Sequence, residues 1–214
     1  MQVAVVLYPG FTGLDVIGAY EVLRSLPESE VRFVYHHKDL ITADSAVLHI
    51  QATHTFDETV NPDIVLVPGS GTDTLNASKD VSLLKWLREV HTTTLKTLSV
   101  CTGSIILAAA GVLTGKPATT HWASQHHLKV YGVDPRPNDR IVKAGKVMTS
   151  AGVSAGIDLA LLVVDEICGR TYAETVQLMI EYDPKPHIEC GHPSKVSLDL
   201  LNQTTQFLQK NMSP

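Results

Sequence analysis

The stretch from Lys96 to Gly115 constrains this 214-residue chain more than any other. Strand-favouring residues from Thr97 to Val100 run directly into Cys101. Thr102, Gly103 and Ser104 then open an apolar, alanine-rich helix that ends near Gly111 and Gly115. A strand that turns into a helix this abruptly forces its apical residue into a sparsely populated backbone conformation and holds the side chain over the strand ends. The first free N–H groups of the helix aim at the same place. With the helix dipole they are expected to lower the thiol pKa and to stabilise an oxyanion, leaving the sulfur partly thiolate at neutral pH. A lone cysteine at the end of a buried strand is ordinarily a small core hydrophobe. Small residues at every turn position, which packing does not require, favour a nucleophile.

Around this elbow the chain alternates between strand and helix patterns. Val3 to Leu7 reads as a strand, Leu14 to Ser25 as a helix, Val31 to His36 as a second strand, and the residues around Val47 to Ile50 as short strands. Ile64 to Val67 is a wholly apolar strand stopping at Pro68-Gly69-Ser70-Gly71, and Leu83 to Val90 is an amphipathic helix. Beyond the elbow come a short helix from Ala123 to Tyr131 and a hairpin from Ile141 to Thr149 with Ala-Gly at its turn. Helices are then expected from Ile157 to about Cys168, from Thr171 to Tyr182 with Val176, Met179 and Ile180 inward, and from Leu198 to Lys210. This alternation predicts a mostly parallel sheet covered on both faces. The length suits one core, so residues 1–190 are taken as the domain and 191–214 as a C-terminal extension packed on it.

Ligands of such sheets bind beyond the carboxyl ends of the strands. That rule gathers four loops: Pro9 to Asp15, Pro68 to Gly71, the Cys101 elbow and Ser150 to Gly156. Asp15 has two readings, as a first-turn charge that complements the helix dipole or as a partly buried acid of raised pKa bonded to the Cys101 sulfur. Thr102 is either a donor to developing negative charge or a local backbone partner. His121-Trp122 follows a strand-like Thr119-Thr120 and is the histidine pair member expected nearest the site, with a structural or gating role as its alternative.

Charge and cysteine content narrow the classes. A net charge of −5 without clustered Lys and Arg argues against a nucleic-acid surface. No apolar run is long enough to cross a bilayer, and the first residues read as a strand rather than a secretory signal, so a soluble cytoplasmic protein is expected. Cys101, Cys168 and Cys190 are too few and too widely spaced for a disulfide or zinc framework. Cys190 lies among His187, Glu189 and His192, but that spacing matches no usual metal site, and neither metal nor organic cofactor is expected. The adjacent pairs His36-His37 and His126-His127 are read as surface residues pointing apart.

Leu14 to Leu23, Val67 to Gly71, Ser99 to Ser104, Leu113 to Trp122 and Ala151 to Asp158 together resemble the ThiJ/PfpI superfamily, and within it the isonitrile hydratases. The resemblance covers about residues 1 to 190. It implies a glutamine-amidotransferase-like, flavodoxin-like three-layer α/β sandwich with a cysteine nucleophile elbow. It also implies Cys101 as nucleophile, Asp15 as its acidic partner and Thr102 beside the substrate. Gly69, Ser70, Ala151, Gly152, Val153, His121 and Trp122 would border a small-molecule substrate, and a homodimer is implied. Protease-like relatives place His directly after the cysteine, so Thr102 argues against peptidase chemistry. Ser70 stands where relatives usually carry Gly, with its amide expected to remain available for an oxyanion hole, and Ala151 stands where the hydratases tend to have Gly. The implied activity is hydration of R–N≡C to an N-substituted formamide through a cysteine thioimidate. The alternatives are a glyoxalase-like enzyme acting on reactive carbonyls and a non-enzymatic thiol sensor. No basic recognition helix follows Pro193, so DNA binding is not expected.

Overall fold

A computed structural model describes residues 1–211. The last residues of the expected extension, 212–214, lie outside the described residues. In chain order the elements are β1 (Gln2–Val6), α1 (Gly13–Leu23), β2 (Glu30–Tyr35), β3 (Leu40–Thr42), β4 (His49–Gln51), β5 (His54–Thr55) and β6 (Ile64–Val67). There follow α2 (Asp73–Ala77), α3 (Val81–His91), β7 (Lys96–Ser99), α4 (Gly103–Ala109), β8 (Pro117–Ala118), α5 (Gln125–Val130) and β9 (Asp134–Pro135). The chain continues through β10 (Ile141–Ala144), β11 (Val147–Ser150), α6 (Ala155–Cys168), α7 (Arg170–Met179) and α8 (Leu198–Asn211).

The central seven-stranded sheet has the order β10-β11-β7-β6-β1-β2-β5. Every pairing in it is parallel except the β10–β11 hairpin. Ile64 to Val67 and Val3 to Val6 are fully buried, which is why their sequences are apolar without alternation. From β1 the chain steps one way along the sheet through α1 to β2, and from β6 the other way through α3 to β7. Right-handed crossovers therefore put the two helices on opposite faces. The helices form two packed groups accordingly, α1 with α6 and α7, and α2, α3 and α5 around α4. The point where the direction reverses lies at adjacent strands β1 and β6, and ligand sites of such sheets form there. The loops after β1, β6, β7 and β11 all leave the same edge.

Some local expectations change. The hairpin turn is Gly145-Lys146, because Ala144 pairs with Val147 and Gly145 takes the positive φ of 66° that a two-residue turn needs. Ser150 ends β11, and α6 begins at Ala155. Met179 is 59% exposed at the end of α7, leaving Ala173 and Val176 as that helix's buried residues. His126 and His127 do not point apart, since their rings lie 4.0 Å centre to centre. His36 is drawn to Asp80, the residue that caps α3 through Ser82 N–H and Leu83 N–H. A small hairpin, β3–β4, lies over the β1–α1 loop, where Gly10 N–H donates to Thr42 O and Asp44 N–H to Phe11 O.

Candidate active site

Cys101 stands at the turn just beyond β7 with φ at +57°, a conformation that costs a non-glycine residue about 1–3 kcal/mol and persists only where neighbours over-determine it. Its neighbours do so. The Cys101 N–H donates to Ala151 O at 3.0 Å, and its carbonyl accepts from Thr120 Oγ1 at 3.0 Å and Ser104 Oγ at 3.3 Å. The side chain is thereby aimed between the β1, β6 and β11 loops. The backbone N–H groups of Val153 and Thr102 and the Thr102 hydroxyl face the sulfur.

Asp15 is fully buried in the first turn of α1. Its Oδ2 accepts the Gly69 N–H at 2.8 Å, while Oδ1 is buried with no hydrogen-bond partner. The Cys101 thiol lies close enough to this carboxyl to lower its pKa. Burial pushes the Asp15 pKa up to about 7 and the nearby Asp44 charge adds to the rise, against the lowering by the Gly69 amide and the thiol. Asp15 combines features of both readings: it stands in the first turn of α1 and is buried with a raised pKa.

The thiol itself departs from the expectation. Cys101 is only 5% exposed, and desolvation, with the Asp15 charge second, holds it well above the ordinary thiol range. The Val153 and Thr102 amides lower it, but less than burial raises it. Burial thus opposes the thiolate that the helix amides favour, beside an acid raised toward neutrality.

Glycines bring the loops this close. A Cβ on Gly69 would stand 2.5 Å from both Thr102 N and Thr102 Oγ1 and 2.9 Å from Asp15 Oδ2. One on Gly103 would meet Val67 O at 2.1 Å. Ser70 differs from expectation: its N–H is taken up by Thr102 Oγ1 at 2.9 Å, and its hydroxyl donates to Gly10 O at 2.5 Å. That amide is occupied, so the groups aimed at the sulfur come from Thr102 and Val153 instead. His121 packs its ring against Gly152, where a Cβ would sit 2.7 Å from His121 Cδ2, and burial lowers its pKa, favouring the neutral ring. Trp122 lies beside His121, ring centres 5.5 Å apart. It lines a cavity of about 390 Å³ with Cys190, His192, Leu200, Leu201 and Thr204, the wall of which includes neither Cys101 nor Asp15.

Two residues not singled out from sequence belong here. Tyr8 is buried beside Asp15 and Cys101, and its hydroxyl donates to Pro68 O at 2.9 Å. Thr74 lies 2.7 Å, oxygen to oxygen, from Thr102 Oγ1. Neither carries a motif: a tyrosine closing a strand and a threonine in a short helix acquire their place only when the β1, β6 and β7 ends converge.

Comparison with known proteins agrees with this architecture. The family model described as DJ-1/PfpI matches residues 1–166. An isonitrile hydratase of Pseudomonas putida is 39% identical over 194 residues, covering 90% of this chain and 83% of that protein. The crystal structure of a ThiJ/PfpI family protein from Pseudomonas syringae superposes with a TM-score of 0.89 at 34% identity, covering 99% of this chain and 88% of the other. Drosophila melanogaster DJ-1beta shares the fold, with a TM-score of 0.76 at 21% identity over 84% of this chain and 97% of its own.

Proposed function

Because the chain belongs to the DJ-1/PfpI family, we propose that it is a cysteine-dependent enzyme hydrating isonitriles, R–N≡C, to N-substituted formamides. The observation that carries this reading is the Asp15–Cys101 pair, a buried thiol facing a buried carboxyl whose pKa lies at about 7. Similarity to an isonitrile hydratase supports the choice of substrate class.

In this mechanism Asp15 takes the proton from Cys101 as the sulfur attacks the terminal carbon. It returns that proton to the same carbon, giving the thioimidate R–N=CH–S. Water then adds to the carbon, losing a proton to Asp15, which passes it to the nitrogen. Collapse of the resulting R–NH–CH(OH)–S forms the C=O bond, breaks the C–S bond and, through Asp15, returns the hydroxyl proton to sulfur. The net reaction adds one water. A carboxyl that must accept and donate in turn works best with a pKa near the operating pH. The Thr102 and Val153 amides stabilise the sulfur while it carries charge, each such bond to an ion contributing about 1.5–3 kcal/mol. An uncharged substrate suits so buried a site, since desolvating it costs little.

Gly69, Ser70, Ala151, Gly152 and Val153 border the reacting carbon in this reading, with His121 as a neutral side wall and Trp122 beyond it. A soluble, cytoplasmic homodimer is part of the same proposal. Among the described residues no helix is long and apolar enough to cross a membrane. The test is formamide production from a simple alkyl isonitrile by purified protein, with Cys101→Ala as control. Turnover is expected in the first and abolished in the second; undiminished turnover by Cys101→Ala would reject the nucleophile.

A further inference from the structure

The oxygens around Thr102 hold more hydrogen-bonding capacity than one arrangement can use. Thr102 Oγ1 lies 2.7 Å from Ser70 O and 2.7 Å from Thr74 Oγ1, and it accepts the Ser70 N–H at 2.9 Å. Thr74 Oγ1 is also 3.1 Å from Ser70 O. Two hydroxyl protons are thus shared among three oxygens, all buried. In one arrangement Thr102 donates to Ser70 O and Thr74 donates to Thr102 Oγ1. The Thr102 hydroxyl is then saturated, with its proton given away and both lone pairs filled. In the other, Thr74 donates to Ser70 O, and the Thr102 O–H is released toward Cys101 Sγ, which it also faces.

We infer that Thr74 is a positioning residue: by taking over the Ser70 carbonyl it frees the Thr102 hydroxyl to donate to the Cys101 sulfur when that sulfur becomes anionic. No covalent bond changes in this step; two O–H groups rotate, and Ser70 O keeps a donor throughout. A neutral thiol, a poor acceptor, favours the first arrangement, and a thiolate favours the second. Without the Thr74 hydroxyl, turning Thr102 toward sulfur would strip the buried Ser70 carbonyl, which among the described residues accepts side-chain donors only from these two threonines. Tyr8 closes the cluster from the far side. Its own proton is committed to Pro68 O, so it competes for the Thr74 proton only as an acceptor. The titratable groups facing the cluster are Tyr8, Asp15, Asp73 and Cys101.

The inference rests on the reading of Cys101 as a nucleophile, and its test reads the thiol rather than isonitrile turnover. The rate of Cys101 alkylation by iodoacetamide is followed against pH, by mass spectrometry of the Cys101 peptide, in wild type, Thr74→Val and Thr74→Ser. Thermal unfolding establishes that each variant is folded, and Thr74→Ala replaces Thr74→Val if the latter is not. Thr74→Val is expected to shift the profile upward by about one pH unit and to react about tenfold more slowly at pH 8, the effect of one hydrogen bond to a charged group. Thr74→Ser is expected to stay within about twofold of wild type, since it restores the donor. Equal rates in Thr74→Val and wild type, or an equal loss in Thr74→Ser, would overturn the inference. Isonitrile turnover measured in parallel separates the outcomes: a Thr74-dependent thiol in a protein that leaves isonitriles untouched rejects the proposed activity and keeps this one.

Discussion

At the scale of single residues, Asp15 sets a conflict between stability and chemistry that can be measured. Its folded pKa of about 7 lies above the value of about 3.9 that an unfolded chain gives an aspartate. Between those values the folded state binds the extra proton, so stability falls as pH rises from about 4 through 7. Asp15→Asn removes the cost of a buried charge. It is expected to unfold at higher denaturant than wild type at pH 8, by about 2 kcal/mol, with the gap closing toward pH 4. The same variant loses the proton acceptor and is expected to lose isonitrile turnover by ~10²-fold or more. Cys101 and Asp15 were legible in the sequence because their signals are local: a strand meeting small turn residues, and an acid between apolar neighbours. The acidity of the thiol was not legible, because burial by loops distant in sequence outweighs the two amides aimed at it. Thr74 and Tyr8 were hidden for the same reason, and so was the capture of the Ser70 amide by Thr102.

At the scale of elements, the site depends on α4 starting against the end of β6. Gly103 N–H donates to Val100 O within the elbow, and its missing side chain lets the helix start press against Val67 O and Pro68 O. Gly103→Ala has no flexible neighbour to displace, since both obstructing groups are backbone. Guanidinium unfolding is expected to register a loss of about 3 kcal/mol. A loss below about 0.5 kcal/mol would mean that the helix start can slide away from β6. Strands β1 and β6 were readable from their apolar runs because parallel central strands are buried on both faces, whereas β2 buries only Val34 and was read from its strand-favouring residues. The short β5, β8 and β9, by contrast, pair over two residues each and carry no periodicity long enough to read. The ends of α7 were misplaced because Met179, apolar in type, falls at a helix terminus facing solvent. Hydrophobic spacing cannot register where a helix runs out of neighbours.

At the scale of the whole molecule, the reversal of strand order at β1 and β6 collects four loops on one edge, and that convergence followed from the alternation of strands and helices alone. The boundary proposed at residue 190 falls in a run, residues 183–191, that is exposed throughout. Trypsin is expected to cut first at Lys195 beyond it, and a chain ending at Tyr182 is expected to fold with a loss of about 1–2 kcal/mol and an unchanged rate of Cys101 alkylation. A truncated chain that does not fold would make α8 part of the core. The fold thus supplies the edge and the loops supply the groups, but the reaction proposed for them depends on one proton shared by Asp15 and Cys101. The most direct test is the pH dependence of kcat/KM for a simple alkyl isonitrile, in wild type and Asp15→Asn. A rate that climbs through a pKa near 7, together with its collapse in Asp15→Asn, is the expected result. A profile flat across neutral pH, or one that Asp15→Asn leaves intact, would contradict the account.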